Sequence, residues 1–286
     1  MTTICICGAG TMGSGIAQVA ATAGFRTLLF DVSEAAVQGA AQKIRTDIEK
    51  LVAKEKLTAQ RAEAILGNLV FLSDLQQCRA DLIIEAIVEK LEAKTSLFTQ
   101  LAAVNGAATI FASNTSSLSI TQIAAQLPHP ERLAGLHFFN PAPLMKLVEV
   151  VKGENTADEI IQQLVAFTHA VGKVPVVCKD APGFIVNRVA RPYYIESLRL
   201  AEEGYTSYEI MDRLLEGVGF KMGPFKLMDL IGNDVNYAVS CSVYEQLGQP
   251  ERLKPSYIQK EKVERGELGK KTGKGYYGPL SSGGGM

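Results

Sequence analysis

The sequence predicts an α/β fold, a doubly wound and mostly parallel sheet followed by an all-helical C-terminal domain, and three observations carry that prediction. Apolar runs of strand length alternate with helical patterns as far as residue 178. The first of these strands runs directly into a glycine triad that opens a helix. Beyond Pro182-Gly183 the alternation ceases, and long amphipathic stretches follow with no convincing strand between them.

In chain order, Thr-Ile-Cys-Ile-Cys at 3–7 is an apolar run that stops at Gly8, and a helical pattern at 12–24 follows it. "RTLLFD" lies in the second run, 26–32, ahead of a long amphipathic stretch at 33–56. Further strand-length runs fall at 82–88, 108–112, 133–139, 147–151 and 174–178, with helical patterns at 90–104, 119–126 and 157–171 among them. Asn140-Pro141 stops the strand at 133–139, and Gly172 stops the helix at 157–171. Such alternation argues for a mostly parallel sheet covered by helices. After "KDAPGFIVNR" (179–188) the helical stretches are 185–203, 207–218 and 226–247. Proline and glycine punctuate structure more reliably than other residues, so the domain boundary is placed at Pro182-Gly183. This divides the chain into an α/β domain at 1–182, a helical domain at 183–278 and a small-residue tail at 279–286 that is expected to be flexible.

At 286 residues, 47 % of them apolar, the chain can bury its cores without disulfides or metals. Lys plus Arg (29) nearly balances Asp plus Glu (30), which argues against nucleic acid or an anionic membrane surface as the main partner. No apolar stretch reaches bilayer-spanning length, and the chain enters its first strand without a basic leader. The five cysteines are odd in number and scattered, so reduced, buried thiols and a cytoplasmic location are expected. Cys5 and Cys7 share one face of a strand, but a metal site needs further ligands and none lies beside them. They read as strand packing, and no metal is expected.

The glycine triad is Gly8, Gly10 and Gly13 in "CGAGTMGSG", with Met12 inside it. A G-x-G-x-x-G string alone is weak evidence; between a strand and a helix it fits a Rossmann-type dinucleotide turn. Gly8 allows the tight turn, Gly10 lets backbone approach a pyrophosphate, Gly13 lets helix and strand pack closely, and the helix N-terminus faces the anion. Asp31 ends the next strand, near the spacing of about 20 residues expected for a carboxylate that accepts from ribose hydroxyls. That carboxylate would repel a 2′-phosphate, so NAD is expected rather than NADP. The plainer alternative is a glycine turn with no ligand.

Of the three histidines, His129 lies between two prolines and His169 in the last turn of a helix; neither needs chemistry to explain it. His137 lies in "GLHFFNPAPLMKLVEV" (135–150), where the following apolar strand carries Glu149 among Leu and Val. If the two strands adjoin, Glu149 reaches one ring nitrogen and leaves the other to take a proton. A satisfied core histidine beside a solvent-facing glutamate is the other reading. "FASNTSSLSI" (111–120) ends a strand in a hydroxyl-rich loop: Ser117 or Ser119 caps the next helix, or the loop serves a ligand beyond the carboxyl ends of the strands. Asn187 either caps the first helix after the boundary or extends an amide toward a ligand.

With these residues assembled, the chain resembles the 3-hydroxyacyl-CoA dehydrogenase family, and among its members the single-function bacterial 3-hydroxybutyryl-CoA dehydrogenases. The motifs that carry the resemblance are "GAGTMGSGIA", "EAIVEK", "ASNTSSLSI", "HFFNPAPLMKLVEV", "KDAPGFIVNR", "MGPFKLMDLIG" and "GKKTGKGYY", spread over nearly the whole chain. The resemblance implies that His137 is the catalytic base, that Glu149 orients it, and that Ser116 and Asn187 contact the reacting part of an acyl-CoA substrate. It implies NAD contacts at the glycine loop (Gly8, Gly10, Met12, Gly13), Asp31, Glu89, Lys94 and Asn114, with Asn140 beside the active histidine. Lys50 and Lys54 resemble the positions that meet the coenzyme A phosphates, although lysines on an exposed helical face usually only solvate it. A homodimer formed through the helical domain, with the active site in the cleft between domains, is likewise implied.

Two other readings compete with this one. A dehydrogenase of free 2-hydroxy or β-hydroxy acids needs a cationic clamp for the carboxylate, and none is found in "NPAPL" or "PGFIVN". A non-catalytic nucleotide sensor or crystallin-like relative has no need of His137, Glu149, Ser116 and Asn187 together. Acyl chain length stays open, from four carbons to a longer or dicarboxylic group such as 3-hydroxyadipyl.

Overall fold

A computed structural model of the chain describes residues 1–278; the tail expected at 279–286 lies outside them. The described chain forms two compact units, Met1–Ala181 and the part from Pro182 onward, a division one residue before the expected boundary.

The first unit is built on strands β1 (Thr3–Cys7), β2 (Arg26–Phe30), β3 (Leu69–Leu72), β4 (Leu82–Glu85), β5 (Ile110–Ser113), β6 (Leu133–Phe138), β7 (Leu147–Lys152) and β8 (Val174–Lys179). They make one sheet in the order β3-β2-β1-β4-β5-β6-β7-β8. All neighbours are parallel except β6 and β7. The covering helices are α1 (Thr11–Thr22), α2 (Glu34–Ala53), α3 (Ala59–Gly67), α4 (Leu91–Val104), α5 (Ile120–Ala124) and α6 (Asp158–Ala170). With helices on both faces, β1 is buried from Ile4 to Cys7, which is why it reads as a continuous apolar run rather than an alternating one. Cys5 and Cys7 approach each other at 3.9 Å within this strand. Contacts with Cys5 and Cys78, together with burial, push the Cys7 thiol well above the ordinary cysteine range, so Cys7 packs as a neutral group.

The topology fixes where a ligand can bind. From β1 the chain moves outward through β2 to β3, then crosses back to β4 on the other side of β1. The carboxyl ends of β1 and β4 therefore diverge into loops on opposite sides, leaving the crevice in which open α/β sheets bind nucleotides.

Three elements were not anticipated. Strand β3 is only four residues long and lies at the sheet edge, and the α3 and α11 (Tyr257–Glu264) helices are nine and eight residues long, too short for a clear apolar period. The run expected at 82–88 leaves the sheet after Glu85, whose carboxylate takes the Ile87 N–H at 2.7 Å.

The second unit is helical, with α7 (Val186–Glu202), α8 (Tyr208–Gly217), α9 (Pro224–Ile231), α10 (Asn233–Gln246) and α11. Its main core joins Tyr194, Leu198, Met211, Phe225, Met228 and Tyr276. The single stretch expected at 226–247 is two helices, because Gly232 adopts a φ of +106° that a continuous α-helix cannot contain. Among the described residues no helix is long and apolar enough to cross a membrane.

Candidate active site

At the switch point, Gly8 has a φ of +110°, and a Cβ there would meet the Ala86 carbonyl oxygen at 2.5 Å. A Cβ on Gly13 would lie 1.7 Å from the Gly8 oxygen. Both positions therefore require glycine for packing within the turn. Gly10 differs: a Cβ there would meet nothing within 4 Å, so its lack of a side chain serves open space in front of the helix rather than a neighbour. Asp31 follows β2 and binds the turn itself, accepting from Ala9 N–H at 2.8 Å through Oδ2 and from Ser33 N–H at 2.9 Å through Oδ1. The open space at Gly10, the N-terminus of α1 and the Asp31 carboxylate together fit a dinucleotide, with pyrophosphate at the turn and ribose hydroxyls at Asp31.

Across the sheet, β6 and β7 place His137 directly opposite Glu149. His137 Nδ1 and Glu149 Oε2 are 2.8 Å apart, with the side chains 7 % and 1 % exposed. The reading that left Glu149 facing solvent is thereby excluded. A buried carboxylate without a partner would be costly; here the imidazole satisfies it and its own ring orientation is set in return. Phe139 packs on the histidine ring with centroids 4.5 Å apart. Asn114, just past β5, accepts the Phe138 N–H at 2.8 Å and so ties the end of β5 to the residue following the histidine.

A second buried polar assembly lies beyond β4 and β5. Glu85 is wholly buried; its Oε1 accepts from Lys94 Nζ at 2.5 Å and its Oε2 from Ser113 Oγ at 2.6 Å. Lys94, 1 % exposed, also meets Glu89 Oε2 at 3.1 Å. The loop carrying Ser116 folds around the other oxygen of Glu89, which accepts from Thr115 Oγ1 (2.5 Å), Ser116 N–H (3.0 Å) and Ser117 N–H (3.2 Å). Burial would raise the pKa of Glu89, but the Lys94 charge and these donors outweigh it and hold the carboxyl below its ordinary value. Glu89 is the member of this set that reaches the surface, whereas the Lys94 ammonium sits behind it between two carboxylates. Sequence reasoning missed Glu85, although a glutamate closing the apolar run "LIIE" carries the same signal that singled out Glu149.

The remaining candidates are scattered. Ser119 is the N-cap of α5, accepting from Gln122 N–H, and it donates to Asp180 at 2.7 Å, so its capping role stands. Asn140 is exposed on the connection between β6 and β7. Lys50 lies in the last turn of α2, largely exposed and 3.6 Å from Asp47, and Lys54 is the C-cap of that helix. Asn187 is in the first turn of α7 in the helical unit, where its carbonyl accepts from Arg191 Nε at 2.9 Å. His129 is exposed beside Glu131, and His169 lies in the last turn of α6. No group of three or more His, Cys, Asp or Glu suited to a metal occurs among the described residues.

The glycine turn, Asp31 and the strand order define a dinucleotide-binding protein of the Rossmann class. Residues 3–181 match the 3-hydroxyacyl-CoA dehydrogenase NAD binding domain and residues 183–278 the C-terminal domain of the same family. The chain belongs to the 3-hydroxyacyl-CoA dehydrogenase family, and its cofactor is NAD. It is 51 % identical to 3-hydroxyadipyl-CoA dehydrogenase of Escherichia coli over 96 % of its own length and 58 % of that protein's, so it spans little more than half of that relative. It is 42 % identical to the mitochondrial hydroxyacyl-coenzyme A dehydrogenase of Sus scrofa, covering 96 % of this chain and 90 % of that one. The crystal structure of (S)-3-hydroxybutyryl-CoA dehydrogenase from Ralstonia eutropha superposes with a TM-score of 0.94 at 36 % identity, over 98 % of this chain and 100 % of that one.

Proposed function

We propose that this protein interconverts (S)-3-hydroxyacyl-CoA and 3-oxoacyl-CoA, with 3-hydroxybutyryl-CoA and acetoacetyl-CoA as the short-chain pair. The observation that carries this reading is the buried His137–Glu149 pair on facing positions of β6 and β7. Glu149 keeps a proton on Nδ1, and that tautomer puts the basic lone pair on Nε2. Nε2 takes the proton of the C3 hydroxyl during oxidation, and in reduction the imidazolium returns it to the C3 oxygen. Bound NAD supplies the two-electron acceptor or donor. As the imidazole charges, the Glu149 carboxylate stabilises it without accepting the proton. Ser116 and Asn187 hold the hydroxyl or thioester oxygen, and Lys50 and Lys54 meet the coenzyme A phosphates. Gly8, Gly10, Met12, Gly13, Asp31, Glu89, Asn114 and Asn140 are assigned to the cofactor, with Lys94 supporting Glu89 from behind. The five free cysteines fit a reducing, cytoplasmic compartment.

The test is spectrophotometric loss of NADH with acetoacetyl-CoA. Turnover with acetoacetate but not its thioester would instead favour a dehydrogenase of free acids, and no turnover with either would favour a non-catalytic relative. The relative named 3-hydroxyadipyl-CoA dehydrogenase favours a second reading, in which the acyl group carries a terminal carboxylate. Comparing kcat/KM across acyl-CoA lengths, with one dicarboxylic substrate included, separates the two.

A further inference from the structure

Lys173 is a buried cation that the mechanism above does not use. It stands between the end of α6 at Ala170 and the start of β8 at Val174, 7 % exposed, and no carboxylate pairs with it among the described residues. Its Nζ donates instead to three backbone carbonyls, Ala142 at 2.7 Å, Met145 at 2.8 Å and Pro143 at 3.2 Å. An ammonium has three N–H donors, and all three are taken. Burial draws its pKa below the ordinary lysine value, so the charge is kept at a cost that the three carbonyl dipoles offset.

The three carbonyls belong to one segment, residues 139–146, which joins the strand of His137 to the strand of Glu149. The same segment also rests on the dinucleotide helix. A Cβ built on Gly15 of α1 would lie 3.2 Å from Ala142 Cβ and 3.3 Å from Pro143 Cδ. The connection is thus held by both α1 and the Lys173 ammonium, and Ala142, which meets both, is almost wholly buried.

We infer that Lys173 is a positioning residue for the His137–Glu149 pair: by clamping the carbonyls of Ala142, Pro143 and Met145 against α1, it holds the connection that closes these two strands in one conformation. The inference rests on the dehydrogenase reading, because it concerns the geometry in which His137 meets the substrate hydroxyl. Small misplacements of a catalytic group cost rate far more than they cost binding.

The experiment compares wild type, Lys173→Met and Lys173→Arg in NADH oxidation with acetoacetyl-CoA, together with NADH affinity by fluorescence titration. Lys173→Met keeps the length of the side chain but has no donors, and is expected to lower kcat by roughly 10- to 100-fold. KM should stay within about 2-fold of wild type and NADH affinity should fall by much less than kcat, since Asn140 is the one residue assigned to the cofactor that the loosened segment carries. Lys173→Arg, which keeps charge and donors, should recover part of the loss. If Lys173→Met does not fold, Gly15→Ala presses the same segment from α1 and should show the same kcat-selective loss. A wild-type kcat in the variant measured, or a loss shared equally by NADH affinity, overturns the inference. Absence of turnover in the wild type would overturn the dehydrogenase reading instead.

Discussion

His137 and Glu149 show how much a single pair depends on strand register. A shift of one residue between β6 and β7 would turn one of the two side chains to the opposite face of the sheet, so their 2.8 Å contact is set by the antiparallel ladder from Gly135–Val151 to Phe138–Val148. His137→Gln is expected to bind NADH normally and to lose turnover by at least about 100-fold, as steady-state rates and NADH titration would show. Glu149→Gln should give a similar loss with substrate binding kept; unchanged turnover in either would sink the base assignment. Glu89 carries a pH signature. Its carboxyl is held below the ordinary glutamate value, so its contribution to stability is complete above that value and is lost as pH falls through the lower folded-state pKa. Denaturant unfolding across acid pH should therefore show a shallower decline for Glu89→Gln than for wild type. Glu149 stood out in the sequence as a carboxylate within an apolar run, yet the same signal at Glu85 was passed over. Neither run says which cation or ring will face the carboxylate, because that partner arrives from another element.

At the scale of elements, the glycine turn was legible because its demands are local. Gly8 needs a positive φ, and Gly13 needs to lack a Cβ that would otherwise sit 1.7 Å from the Gly8 oxygen. Gly13→Ala is expected to cost about 3 kcal/mol and to abolish tight NADH binding, since the helix cannot move outward without carrying the anion-facing N–H groups with it. Urea unfolding and an NADH titration would check both. Less legible were β3, α3 and α11, which are short and take their stability from neighbours rather than from a strong period of their own. The division of 226–247 at Gly232 was likewise hidden, because an isolated glycine is compatible with a helix until its φ is known.

At the scale of the molecule, the helical unit exposes Ile210 (56 %), Leu214 (65 %) and Val218 (70 %) at four-residue spacing along and just beyond α8, with Phe220 half exposed after it. An apolar stripe of this kind favours association, and we propose it as the face on which two copies of this chain would pair. Leu214→Asp should shift sedimentation toward a monomer while leaving NADH affinity unchanged; a wild-type distribution would point to another surface. Composition, alternation and motif order were enough to read the fold class and the glycine turn with its carboxylate, because each rests on period or spacing, whereas His137 and Glu149 stood out only as unusual residues within apolar runs whose pairing the strand register decided. Distance in the chain hid the rest. The pairing of Lys94 with both Glu85 and Glu89, the wrapping of the Ser116 loop around one oxygen of Glu89, and the grip of Lys173 on three carbonyls of the segment after His137 all join residues from separate elements. Such contacts have no local signature, since strand order and helix packing bring those atoms to hydrogen-bonding distance only after the chain has folded.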